Sequence, residues 1–166
     1  MVTTKRIIIG AFLICLSVIF QLTPVLFSEI FVFLTVLSGF PMYVISKISP
    51  KVGVMAYAIS ALVILCLSVH ESIFFLCTNG IVGLSLGATS YYTNKKLPIV
   101  VIASITLTFT LSIINFIIGV PVFGVKIPFS IFIQLGIFFA FAIIYNSIYL
   151  RISKFLFKII NKHYKE

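Results

Sequence analysis

Apolar residues in this chain fall into six long runs, each closed by a short polar or turn-forming stretch. The runs cover 7–27, 29–46, 52–69, 72–92, 97–118 and 127–150. A helix rises about 1.5 Å per residue, so about 20 apolar residues cross the hydrocarbon core of a bilayer. The pattern predicts an all-α polytopic membrane protein with six transmembrane helices. Between the runs lie Thr23-Pro24 through Ser28-Glu29, Lys47 through Lys51, His70-Glu71, Asn94 through Pro98, and Gly119 through Pro128. Pro41 stands inside the second run and predicts a kink, with freed carbonyls satisfied by neighbouring helices. No internal repeat or low-complexity segment interrupts the pattern.

Composition narrows the class. The chain is 61% hydrophobic and 9% charged, against about 45–50% and about 25% in soluble domains. A globule of 166 residues has too much surface for its volume to hide that excess, whereas a bilayer solvates it.

Charge then orients the spans. Lys+Arg number 12 and Asp+Glu 3. With the N-terminus inside, every basic residue except Lys126 falls on the cytoplasmic side: Lys5, Arg6, Lys47, Lys51, Lys95, Lys96, Arg151, Lys154, Lys158, Lys162 and Lys165. Glu29 and Glu71 fall outside. The positive-inside rule therefore predicts both termini in the cytoplasm. The net charge of +9 suits anionic lipid headgroups. It does not suggest nucleic acid, because no basic patch stands on a soluble scaffold.

The two ends of the chain carry further expectations. Lys5 and Arg6 precede an apolar run without a small-residue cleavage site, and Ile14 before Cys15 makes no lipobox. The first run is expected to be a retained transmembrane helix. Residues 151–166 place Arg151, Lys154, Lys158, Lys162 and Lys165 on one helical face and Ile152, Phe155, Leu156, Ile159 and Ile160 on the other. This basic amphipathic tail is expected to extend the sixth helix and bend onto the inner leaflet. It serves either as a lipid anchor or as a docking surface for a partner.

Little of the chain could do chemistry. Cys15, Cys66 and Cys77 lie in apolar runs without metal-ligand spacing and read as small packing residues. His163 and Glu166 sit at the tail end, which leaves Glu29, His70 and Glu71 for acid–base work. No hydrolase, metalloprotease or nucleotide-binding motif is present. The expectation is a non-enzyme with no cofactor and no metal. An ion-coupled pump is disfavoured too, since no carboxylate lies near the middle of a run.

Uncharged polar residues are more informative. In the predicted topology Gln21, Thr78, Asn79, Ser112, Asn115 and Gln134 all lie in the outer half of their spans, with Glu29, His70 and Glu71 at the rim. Thr78 and Asn79 are roughly 9–10 Å below the start of the fourth run. Amides cannot be left unsatisfied in lipid. They either fasten helices together or line a polar pocket open to the outside. Two small-residue faces complete the inventory. Gly80, Gly83 and Gly87 allow close helix packing in the fourth run, and Ala11-x-x-x-Cys15 does the same near the inner end of the first.

Several stretches together carry a family resemblance. Gly10 through Leu16 follows a short basic N-terminus, and Phe27-Ser28-Glu29-Ile30 follows a Pro-containing turn. Ser38-Gly39-Phe40-Pro41, Val52-Gly53-Val54-Met55-Ala56-Tyr57 and Asn79 through Gly87 come next, then Lys95-Lys96. Over about residues 5–120 this layout resembles the substrate-capture S components of energy-coupling factor (ECF) transporters. It also resembles a related group of six-helix bacterial membrane proteins. The resemblance implies a bacterial cytoplasmic-membrane protein that binds a vitamin or similar micronutrient in an outward pocket. Partners would be a transmembrane coupling subunit, docked on the face of Ala11 and Cys15, and two cytoplasmic ATPases. No stretch is tied to a particular vitamin. The other reading is a non-transporting assembly, regulatory or cell-envelope protein of the same fold.

Overall fold

The computed structural model describes residues 2–122 and 130–163, and those residues form helices without a strand. Among them, six helices are long and apolar enough to cross a membrane: Ile8–Leu26, Glu29–Ile48, Pro50–Leu67, Val69–Tyr92, Lys96–Ile118 and Ile131–Ile159. These are spans one to six, in chain order. Lys126, the rest of segment 123–129, and Tyr164, Lys165 and Glu166 lie outside the described residues.

Several boundaries move, each for a local reason. Span one continues through Pro24 to Leu26. Span three starts at Pro50, not 52, because Ser49 is extended (φ −156°) and Pro50 takes the first helical position, where a missing N–H costs nothing. The turn expected at His70-Glu71 falls at Ser68 instead. Ser68 is extended, and its hydroxyl accepts from the Glu71 backbone N–H at 3.4 Å. His70 and Glu71 therefore sit in the first turn of span four. Ser68-x-x-Glu71 has the sequence form of a capping box. Span six belongs to one helix, Ile131–His163, of 33 residues. That is about 50 Å, longer than a hydrocarbon core of about 30 Å. No helix break separates the basic tail from the span.

Span two is irregular ahead of Pro41. Short 3₁₀ turns at Glu29–Phe31 and Val36–Ser38 alternate with helical Val32–Thr35 and Gly39–Ile48. Pro41 lies in the first turn of the last segment. Two carbonyls of the irregular stretch take donors from other spans. The Tyr149 hydroxyl donates to Val36 O at 2.9 Å, and the Ser17 hydroxyl to Ser38 O at 2.7 Å.

Spans two and four pack together at the centre of the bundle. A Cβ at Gly83 would run into the Gly39 carbonyl, and one at Gly87 into the Tyr43 carbonyl. These glycines let two backbones touch. Gly80 is different: its missing side chain makes room for the carbonyl and ring of Phe75 on its own span. Spans one and three pack on span two, span five packs on span four, and span six packs on span five. Large apolar side chains fill the interior, among them Met42, Phe75, Leu86, Ile99 and Phe138. Equally large ones face outward, including Phe12, Phe109 and Phe132, as suits helices that lipid solvates.

The antiparallel order of the spans separates the charges. Lys47, Lys51, Lys95 and Lys96 lie at or beside helix ends, and Arg151, Lys154 and Lys158 in the C-terminal half of the sixth helix, at one end of the bundle. Lys154 is close enough to Lys47 and Lys96 for their charges to repel. Glu29, His70 and Glu71 lie at the opposite end.

Candidate ligand cavity

The site begins with a bulge. After its capped first turn, span four carries a π-turn at Phe75–Asn79 before resuming as Gly80–Tyr92. A wider turn loosens backbone hydrogen bonding, and two carbonyls take donors from neighbouring spans. The Tyr57 hydroxyl donates to Leu76 O at 2.7 Å, and the Thr110 hydroxyl to Cys77 O at 2.6 Å. The bulge ends on Asn79, a buried residue on the inner side of the span.

Gln21 of span one is the hub of a buried polar network. It is 1% exposed. Its Nε2 donates to Glu71 Oε2 at 2.7 Å. Its Oε1 accepts from the Ser38 hydroxyl at 2.8 Å and from Asn79 Nδ2 at 3.4 Å. The Tyr145 hydroxyl donates to Asn79 Oδ1, also at 3.4 Å. The network thus ties spans one, two, four and six. Glu71 is 14% exposed, and its second oxygen has His70 Nδ1 at 3.9 Å, beyond hydrogen-bond reach.

Above the network lies a cavity of about 430 Å³, within the range of small-molecule sites. Gln21, Glu71, Asn79, Thr78 and Tyr145 supply its polar groups, and His70, 77% exposed, stands at its edge. Span two contributes Val32, Thr35 and Val36, and span five contributes Leu107, Leu111 and Ile114. Phe74 and Phe141 add aromatic faces, and Val120, Pro121 and Val122 follow span five. Phe141, Tyr145 and Tyr149 stack along span six at centroid spacings of 5.9 and 5.8 Å. The first two of these rings form one wall of the cavity.

The residues singled out by sequence part company here. Gln21, Asn79, His70 and Glu71 surround the cavity. Asn115 and Gln134 do not line it; Asn115 Nδ2 donates to Gln134 Oε1 at 3.2 Å, joining spans five and six. Span five faces the cavity with Leu107, Leu111 and Ile114, and the neighbouring Ser112 and Asn115 are not part of the lining; Asn115 lies in a second π-turn, Ile113–Ile118. The Ser112 hydroxyl donates to its own helix at Thr108 O, 2.7 Å. Gln134 shares a helical face with Phe141 but stands about 10 Å nearer the end of the bundle. Glu29 is exposed in the first 3₁₀ turn and is not part of the lining. Ala11 and Cys15 are exposed on the outer face of span one. Gly80, Gly83 and Gly87 are all consumed in packing within the chain. Ser17, Ser38, Phe74 and Phe141 were not singled out by sequence; the i, i+4, i+8 spacing of Phe141, Tyr145 and Tyr149 was the available signal.

Among the described residues no group of His, Cys, Asp and Glu could hold a metal ion. No family model, curated protein or solved structure matches the chain. What fold and cavity define is therefore a class: a helical bundle with six helices able to cross a membrane, containing a polar-floored cavity in one half.

Proposed function

We propose that this chain is the membrane-embedded substrate-binding subunit of a bacterial small-molecule uptake system, working as ECF S components do. Both termini lie in the cytoplasm, and the cavity faces outward to capture a vitamin-like micronutrient. The observation that carries this reading is the cavity itself, floored by Gln21, Glu71 and Asn79 and walled by Phe74, Phe141 and Tyr145. A carboxylate accepts hydrogen bonds and favours positive charge, and aromatic faces favour flat rings and cations. The substrate class that fits is a small organic molecule with a ring and an amine or other cationic donor. The exposed Ala11 and Cys15 face would meet a transmembrane coupling subunit, whose ATPases supply the energy. The chain itself makes and breaks no bonds.

The test is ligand-induced stabilisation of the purified protein across a micronutrient panel, paired with native mass spectrometry. An amine-bearing compound should raise the melting temperature of wild type. Glu71→Gln keeps an acceptor for Gln21 but removes the charge, and should weaken that binding about ten- to 100-fold, equivalent to about 1.4–2.8 kcal/mol. Equal binding by wild type, Glu71→Gln and Asn79→Leu would place the site elsewhere. A panel with no effect, and no retained small molecule by mass, would favour a non-transporting assembly role.

Orientation has its own check. In a background lacking Cys15, Cys66 and Cys77, a cysteine at exposed His70 should react with an impermeant thiol reagent in intact cells. A cysteine at Lys95 should stay shielded. The reverse pattern would invert the topology and close the cavity to the outside.

A further inference from the structure

At the basic end, spans five and six line a second groove of about 470 Å³. Its walls are apolar: Leu97, Val100 and Val101 from span five, and Ile143 and Leu150 from span six. Its mouth is basic, formed by Lys96, Arg151 and Lys154. From Leu150 to Ile143 the groove reaches about 10 Å along span six. Charged groups thus occupy one end, and the rest is hydrocarbon apart from the Ser147 hydroxyl, which is the polarity of a lipid.

Three features concentrate positive charge at that mouth. Lys96 and Lys154 repel each other, and Lys154 also feels Lys47. Among the described residues no carboxylate lies within ion-pair distance of Lys96, Arg151 or Lys154; Glu29 and Glu71 are at the other end of the bundle. Lys96 opens the helix of span five, and the cap residue Lys95 makes no side-chain hydrogen bond to its first turn. The dipole of that helix adds partial positive charge.

We propose that this groove is a binding site for an anionic phospholipid of the leaflet at the basic end. The phosphate sits among Lys96, Arg151 and Lys154, and an acyl chain lies along Val100, Val101 and Ile143. Basic pockets between transmembrane helices suit such headgroups. Bound lipid would bridge spans five and six where side-chain repulsion otherwise opposes their approach.

The test uses the full chain, delipidated in neutral detergent, with phosphatidylglycerol, phosphatidylcholine and glycerol 3-phosphate as probes. Phosphatidylglycerol should raise the melting temperature and appear as a bound mass by native mass spectrometry. Phosphatidylcholine and glycerol 3-phosphate should do neither. Lys96→Gln/Arg151→Gln/Lys154→Gln should lower phosphatidylglycerol affinity at least tenfold. Lys51→Gln/Lys95→Gln/Lys158→Gln removes the same charge outside the groove and should change it less than threefold. Val101→Trp fills the groove without changing charge and should also weaken binding. Equal stabilisation by both lipids would overturn the proposal. So would equal losses in the two triple variants, an effect of glycerol 3-phosphate alone, or lipid binding unmoved by Val101→Trp.

Discussion

Replacing Gly83 with Leu is expected to abolish the folded monomer. The position faces the backbone of Gly39, and even a Cβ would strike the Gly39 carbonyl. Backbone cannot rotate away as a side-chain tip can, so spans two and four would have to separate. Gly83→Ala should already lose about 1–3 kcal/mol, the usual range for overpacking a tight core. Gly136 provides the contrast. It lies in the sixth helix, and a Cβ added there would meet nothing within 4 Å. Gly136→Ala should therefore be neutral or gain about 0.5–1 kcal/mol from the better helix former. Monodispersity and melting temperature in detergent report both variants. A Gly83→Leu chain that elutes and melts like wild type would mean that spans two and four do not cross at these glycines.

Gln21→Leu should cost nearly as much, for a different reason. One buried amide serves Glu71, Ser38 and Asn79 at once. Leucine would leave a carboxylate, a hydroxyl and an amide short of a partner, at about 1–3 kcal/mol each before relaxation. A loss of about 3 kcal/mol or more is expected, on the order of 10 °C in melting temperature. Adding Glu71→Leu to Gln21→Leu should recover part of it, because the orphaned carboxylate is then gone. The measurement is a double-mutant cycle on thermal stability. Strictly additive losses would show that the Gln21–Glu71 bond carries no coupling.

The network explains why the cavity was only half legible in sequence. Gln21, Asn79 and Glu71 stand out because amides and carboxylates are rare in apolar runs. Depth could be read from their distance along each run. Direction around the helix could not, and direction separates Ile114, which faces the cavity, from Asn115, which reaches Gln134 instead. The π-turn at Phe75–Asn79 compounds the problem, since an inserted residue shifts every later position around the helix axis. Ser68 carries a signal that hydropathy overrides: with Glu71 three residues on, it marks a helix start that the apolar run alone places later.

By itself, the sequence determined that the protein is helical, has six segments long and apolar enough to cross a membrane, and gathers its basic residues, Lys126 apart, at the two ends of the chain and at alternate turns. These properties follow from run length and from the order of charges along the chain, which need no knowledge of neighbours. Only the tertiary structure decided that Gly83 and Gly87 serve contact within the chain, and that Ala11 and Cys15 face outward. It alone joined Gln21, Ser38, Glu71, Asn79 and Tyr145 into one network and set Lys96 beside Arg151 and Lys154 across a groove. The reason is geometric. An apolar helix bears no stripe to mark which side meets protein and which meets lipid, so rotation about each axis is set by packing between helices.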